Sequence, residues 1–247
     1  MPAAHPARRP LMTAPAAYED LALQLDHSLV APDLDDAGVL AGIRAAQKYG
    51  VASVTVRPCD IDLAVRTLGG SSVRAGAVCG FPHGSGNTAA KLFEARDLLR
   101  RGARQIEVVA GTPKLLSREF QHVQTELLQL AEMCHQERAL LVVILETAYL
   151  TDELKIIACA CAERAEADFV CAGTGFAPRA ATLEDLRLIR RHLPEETGVK
   201  AIGAAVLDEV LEFRGAGCTR IGTAATAAIL DEWKSRLAAA PPAAPTS

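Results

Sequence analysis

Two hydrophobic patterns alternate along the chain. Short apolar runs, many of them β-branched, are each followed by a longer stretch with helical periodicity. The short runs are LALQLDHSLV (21–30), VASVTV (51–56), VRAGAVCG (73–80), RQIEVVA (104–110), ALLVVILE (139–146), DFVCA (168–172), GVKAIG (198–203) and CTRIG (218–222). The stretches between them include DDAGVLAGIRAAQKYG, NTAAKLFEARDLLRRG, REFQHVQTELLQLAEMCHQE, DELKIIACACAERAE, LEDLRLIRRHL and AATAAILDEWKSRL. Local signals support these boundaries. Asp33 and Asp35 can cap the first helix, Thr151-Asp152 and Thr182 precede two later ones, and Glu184-Asp185 fall in a first turn. Gly50 and Gly102 stand just past helix ends.

Uninterrupted apolar strands alternating with helices predict a parallel sheet buried on both faces. Eight such units in one chain of 247 residues predict a single (β/α)8 barrel over residues 19–237. A doubly wound open sheet is the alternative. No G-x-G-x-x-G follows the first strand, and GFPHGSGN lacks the Gly-Lys-Ser/Thr ending of a phosphate loop. The Ala- and Pro-rich flanks, 1–18 and 238–247, are expected to be disordered tails.

Composition narrows the function classes. Hydrophobic residues make up 50% and charged residues 23%, enough for a full core. A net charge of −4, no long basic block and 4% aromatics argue against a nucleic-acid groove or an anionic membrane surface. No apolar run approaches the roughly 20 residues of a membrane helix, and no apolar segment follows Arg8-Arg9 as in a secretory signal. Seven cysteines without a C-x-x-C read as buried reduced thiols of a cytoplasmic protein, and no His and carboxylate cluster at strand ends suggests a metal. No cofactor is expected.

In a (β/α)8 barrel the chemistry lies at the C-terminal ends of the strands. The polar residues there are Asp26 and His27, Thr55 and Arg57, Phe81-Pro82-His83, Glu107, Glu146 and Thr147, Cys171 with Thr174, Lys200, and Gly222-Thr223. Thr55, Thr174, Gly175, Gly203, Gly222 and Thr223 are candidate substrate contacts.

The chain resembles the deoxyribose-phosphate aldolase family. The matching segments, in family order, are LDHSLVAPD (25–33), YGVASVTVRP (49–58), GFPHG (80–84), EARDLLRRGARQIEVV (94–109), ILETAYLTDE (144–153), ADFVCAGTGF (167–176), ATLEDLRLIR (181–190), GVKAIGA (198–204) and GCTRIGTAA (217–225). The resemblance implies the same barrel, and a dimer fits it. It also implies a Schiff-base lysine at the end of the sixth strand, in a motif of the form F-V-K-T-S-T-G. Here that segment reads Phe169-Val170-Cys171-Ala172-Gly173-Thr174-Gly175, with Cys171 at the lysine position. A thiol cannot form an iminium ion. The family's acid/base aspartate is matched by Glu107, and its second lysine by Lys200. Its phosphate-binding Gly-Gly-x-Arg is replaced by Ala204-Ala205-Val206-Leu207 after Gly203, which removes a guanidinium.

Several roles stay open for these residues. Without an amine opposite it, Lys200 is expected to be protonated and to donate to a carbonyl or enolate oxygen. If neutral, it could form the Schiff base itself. It could also simply pair with Glu107. Glu107 is the candidate general acid/base, or else the partner of Arg57 or Arg104. Cys171 reads as a small filler, as a change that makes room, or as a thiolate activated by Lys200. Asp26 is expected to support the polar network, and His27 to make a structural hydrogen bond. Glu146 and Thr147 are expected to brace the site. His83 is either a substrate contact or solvated, and His135 and His192 look like surface residues.

The balance favours a lyase with a repurposed site: a divergent aldolase-like enzyme acting on a small carbonyl compound. Its reaction would be carbon–carbon bond formation or cleavage, or a related enolisation, dehydration or cyclisation. The lost guanidinium argues against efficient turnover of deoxyribose 5-phosphate. The competing reading is a non-catalytic barrel that binds a metabolite or a protein partner.

Overall fold

The computed structural model describes residues 15 and 17–239. Eight parallel strands pair in chain order, and the last closes on the first: β1 (Leu25–Leu29), β2 (Ser53–Val56), β3 (Arg74–Cys79), β4 (Gln105–Val109), β5 (Leu140–Ile144), β6 (Phe169–Cys171), β7 (Gly198–Ile202) and β8 (Arg220–Thr223). The helices are α1 (Tyr18–Ala22), α2 (Asp36–Tyr49), α3 (Ile61–Thr67), α4 (Thr88–Arg100), α5 (Thr112–Leu116), α6 (Phe120–Gln136), α7 (Asp152–Arg164), α8 (Leu183–Arg191), α9 (Leu207–Gly215) and α10 (Thr226–Ala239). The expected (β/α)8 barrel is therefore the fold. No helix of the described residues is long and apolar enough to cross a membrane.

The helix ends follow the local chemistry. Asp35, not Asp33, caps α2 by accepting the Gly38 N–H, and Gly50 ends that helix at φ +65°. Thr151 caps α7, and Thr182 forms a reciprocal capping box with Asp185 at the start of α8. One boundary differs from the pattern. The run from residue 21 does not begin a strand. Leu21 and Ala22 belong to α1, because Asp20 accepts the Ala17 N–H and the Tyr18 hydroxyl anchors to the Tyr49 carbonyl. Two neighbouring buried residues followed by the exposed Leu23 fit a helical turn, not the alternation of a strand. Most of both expected tails lies outside the described residues. Within them, α1 starts at Tyr18 and α10 runs on to Ala239.

Strand alternation sorts the core into two shells. On β4, Ile106 and Val108 face outward into the large cluster shared with the helices, together with Val54, Leu141, Val143, Val170, Val199 and Ile221. Each such fully buried side chain contributes about 1.5–3 kcal/mol. The inward positions divide by sector. Val109, Val142, Ile144, Phe169 and Cys171 form a separate apolar cluster on β4, β5 and β6. Asp26, Ser53, Thr55, Gln105, Glu107, Lys200 and Arg220 supply polar groups on the other side, all buried.

Six of the seven cysteines are buried free thiols, and Cys59 is exposed. His192 is exposed, whereas His135 is half-buried and bonds through Nε2 to Asp168 Oδ2 at 3.1 Å. That hydrogen bond raises the His135 pKa above the ordinary imidazole value, against the opposing effect of burial. A raised folded pKa stabilises fully below about pH 6.5, and the benefit is lost as pH rises through the folded value. His135→Ala is therefore expected to cost most stability in mild acid and progressively less toward alkaline pH, as read by urea denaturation across the pH range.

Candidate active site

A cavity of about 230 Å³ opens at the C-terminal ends of the strands. It is smaller than the roughly 300–1,000 Å³ of sites for drug-sized ligands, and so suits a small molecule. Asp26, Thr55, Glu107, Thr174, Gly175, Lys200, Gly203, Gly222 and Thr223 all line it. Cys171 does not.

The inner end is built by alternation on five strands. β1 turns Asp26 inward and His27 outward, where its Nδ1 meets the Thr226 hydroxyl at 2.8 Å. β7 brings Lys200 to the centre, only 1% exposed. Its ammonium donates to Asp26 Oδ2 at 2.8 Å and to Glu107 Oε1 at 2.6 Å. Arg220, from β8, donates to the other oxygen of Asp26 at 2.7 Å and lies over the Phe169 ring at 4.8 Å. Gln105 Nε2 links the two acids, donating to Asp26 Oδ2 at 3.2 Å and to Glu107 Oε1 at 2.9 Å. The Thr55 hydroxyl donates to Glu107 Oε1 at 2.6 Å.

Electrostatics follow from these contacts. Burial alone would strip the proton from Lys200, but Asp26 and Glu107 outweigh it and hold the amine protonated. Burial likewise opposes the charge on Asp26, yet Arg220 and Lys200 pull its carboxyl well below the ordinary range. Asp26 is thus a fixed counter-charge. Glu107 is different. Its three hydrogen bonds all converge on Oε1. Oε2 has no hydrogen-bond partner among the described residues and is not one of the enclosed orphan atoms, so it opens on the cavity. Neither Arg57 nor Arg104 holds Glu107. Arg57 pairs with Asp60, and Arg104 donates to the Ala103 carbonyl.

Cys171 is fully buried among the apolar inward residues, with Sγ donating to the Gly173 carbonyl at 3.3 Å. Burial pushes its thiol up to about 12, more than the nearby Lys200 can offset. Burial, the raised thiol pKa and the absence of Cys171 from the cavity lining all weigh against the thiolate reading. Filling and room-making remain as its roles.

Glu146 braces the β6–α8 loop. Its backbone is left-handed at φ 54°, and its Oε2 accepts both the N–H and the hydroxyl of Thr174. A Cβ at Gly173 would come within 2.7 Å of Glu146 Oε1, so this brace suits glycine. Thr147 turns away to Asp185. His83 is exposed and does not line the cavity. Gln105 and Arg220 were not singled out from sequence. Each lies two positions before a strand-end site residue, Glu107 and Gly222, and that spacing puts them on the same inward face. Among the described residues, no group of three or more His, Cys, Asp or Glu is placed to hold a metal ion.

The site is thus a lysine held between two carboxylates at the C-terminal mouth of a closed (β/α)8 barrel. The deoxyribose-phosphate aldolase of Treponema denticola is 35% identical over 207 residues, covering 83% of this chain and 96% of the relative. That of Thermoanaerobacter pseudethanolicus is 37% identical over 216 residues, covering 87% and 97%. The chain belongs to the deoxyribose-phosphate aldolase family. Solved structures agree. An aldolase designated QR15 superposes with a TM-score of 0.84 at 30% identity, covering 90% of this chain and 99% of that one. The deoxyribose phosphate aldolase of Aeropyrum pernix, described as having a unique tetrameric structure, gives 0.80 at 28%, covering 89% and 93%. No protein-family model matches the chain.

Proposed function

We propose that this protein is an aldolase-like lyase that handles a small carbonyl compound without forming an imine. Glu107 Oε2 removes a proton from the carbon α to the carbonyl. The C–H electron pair becomes the new carbon–carbon π bond, and the carbonyl π pair moves onto oxygen. Lys200, with two of its N–H bonds on Asp26 and Glu107, points its remaining donor at that oxygen where charge develops. The enolate carbon then bonds to an aldehyde carbon, the aldehyde π pair moves onto its oxygen and that alkoxide takes the proton from Glu107; without an aldehyde, the enolate carbon takes the proton back. In the cleavage direction Glu107 takes the hydroxyl proton, the oxygen's electron pair forms the new carbonyl as the carbon–carbon bond breaks, and the departing enolate, its oxygen held by Lys200, receives the proton at carbon. Asp26 keeps the ammonium charged and oriented, and Arg220 holds Asp26 by its other oxygen.

The observation that carries this reading is the division of labour on Glu107: one oxygen is saturated by the network and the other faces the cavity. It also explains how the site works with Cys171 at its edge, because no step needs a second amine. Two measurements test it. Borohydride trapping with acetaldehyde is expected to leave Lys200 unmodified in the native protein. Exchange of α-protons of small ketones into heavy water, followed by NMR, is expected to be catalysed and to fall by about 10²-fold or more in Glu107→Gln. Exchange that persists unchanged in Glu107→Gln would remove the acid/base role. Binding with no exchange at all would favour the non-catalytic metabolite-binding barrel.

A further inference from the structure

Glu107 Oε1 and Asp26 Oδ2 share two donors. The Lys200 ammonium reaches these oxygens at 2.6 and 2.8 Å, and Gln105 Nε2 reaches the same pair at 2.9 and 3.2 Å. The two oxygens and the two nitrogens thus alternate around a ring of four hydrogen bonds, and each donor holds the acids together against their mutual repulsion. Lys200 closes this ring from the cavity. Gln105 does not line the cavity and closes it from deeper in the barrel.

The amide is turned for its hydrogens. The opposite orientation would set a carbonyl oxygen against two carboxylates. In the orientation adopted, Gln105 Oε1 is enclosed and has no hydrogen-bond partner among the described residues. A buried unpaired acceptor is costly, and an apolar side chain of similar length would avoid it. The residue is therefore placed for what its N–H groups do. The sheet makes room for it: β4 pairs Gln105 with Gly76 of β3, and a Cβ on Gly76 would come within 3.2 Å of the Gln105 Cβ.

We infer that Gln105 is a positioning residue for proton transfer at Glu107. It acts through the two acids and not on the ligand. By holding Oε1 it keeps Oε2 turned toward the cavity. Lys200 cannot do this alone. As charge develops on the ligand oxygen, the ammonium is drawn toward it and loosens its hold on both acids. Gln105 is then the donor that still joins Asp26 to Glu107, with the Thr55 hydroxyl as the other support of Glu107. The inference rests on the carbonyl reading proposed above.

The test uses the full chain and the exchange of acetone α-protons into heavy water, followed by NMR over a range of acetone concentrations. Gln105→Met is expected to lower kcat about ten-fold or more and to leave KM within about two-fold, because proton transfer is misaligned while the cavity lining is intact. Gln105→Glu keeps the shape but can hold at most one acid, and is expected to show the same split. Ile106, the next residue on the strand, faces the helices, so Ile106→Val is the control. It is expected to lower the urea midpoint and leave kcat unchanged. The native protein gives a further reading: the Gln105 side-chain N–H signals should exchange far more slowly in heavy water than those of the exposed Gln121 and Gln129. A folded Gln105→Met or Gln105→Glu variant with native kcat overturns the inference. So does a loss confined to KM, a loss shared by Ile106→Val, or a Gln105 amide that exchanges as fast as the exposed ones. No exchange of acetone protons by the native protein brings down the carbonyl reading and this role with it.

Discussion

Cys171→Lys is expected to convert a protein that gives no borohydride-trapped adduct with acetaldehyde into one that is labelled on the introduced lysine. The reason lies in the register of β6 and β7, where Cys171 and Lys200 are paired partners. An amine at position 171 would enter the apolar sector formed by Val109, Val142, Ile144 and Phe169, beside an ammonium that Asp26 and Glu107 keep charged. Burial and a neighbouring like charge both lower an amine's pKa, by up to several units for fully buried groups. The newcomer would therefore be the neutral nucleophile while Lys200 stays protonated, and Glu107 Oε2 would be at hand for proton transfer. The longer side chain brings an overpacking cost of about 1–3 kcal/mol, so the variant should be less stable but folded. Peptide mass spectrometry after reduction locates the adduct. A folded variant with no adduct, or with the adduct on Lys200, would show that the two lysine environments differ from this account.

Lys200→Met is expected to cost about 3–5 kcal/mol of stability at neutral pH. The substitution keeps the volume but leaves Asp26 and Glu107 buried around an uncharged side chain. Asp26 retains Arg220 at 2.7 Å, whereas Glu107 loses its only cationic partner among the described residues. Lys200→Met combined with Glu107→Gln should consequently be more stable than Lys200→Met alone, a non-additivity of the kind expected within one hydrogen-bonded network. The pH dependence has a definite sign. Asp26 has a depressed pKa in the native protein, so its contribution is present above the ordinary carboxylate range and is lost as pH falls. In the variant, protonation of the stranded carboxylates relieves the defect. The gap between variant and native protein should therefore narrow toward acid. Urea denaturation at several pH values measures both effects, and a gap that widens in acid would contradict them.

The barrel was legible in the sequence because its determinants are local. Apolar runs repeat once per βα unit, Thr and Asp caps and post-helical glycines mark several of the helix ends, and the eight strands fall where the runs are. The first run misled because LAL is compatible with either element. Its fate is decided by Tyr18 and Ala17 contacting Tyr49 and Trp233, which are distant in sequence. In the site, strand-end position identified Asp26, Glu107 and Lys200. It could not identify their arrangement, since three strands must close on one another before Lys200 meets both acids. Arg220 and Gln105 were hidden by lying one turn of the pleat deeper. The burial of Cys171 was likewise invisible, because it depends on the apolar neighbours that β4 and β5 place around it.

The division of the barrel interior into two sectors has a consequence for how such a scaffold can change over time or in the laboratory. Substitutions among residues 109, 142, 144, 169 and 171 alter shape and volume and leave the charge balance untouched, so they can be accepted one at a time. Changes to Asp26, Glu107, Lys200 or Arg220 leave a neighbour unbalanced and cost least stability in compensating pairs. Randomised libraries confined to the first group should yield many folded proteins with altered ligand preference. Libraries that sample the second group singly should yield mostly destabilised proteins.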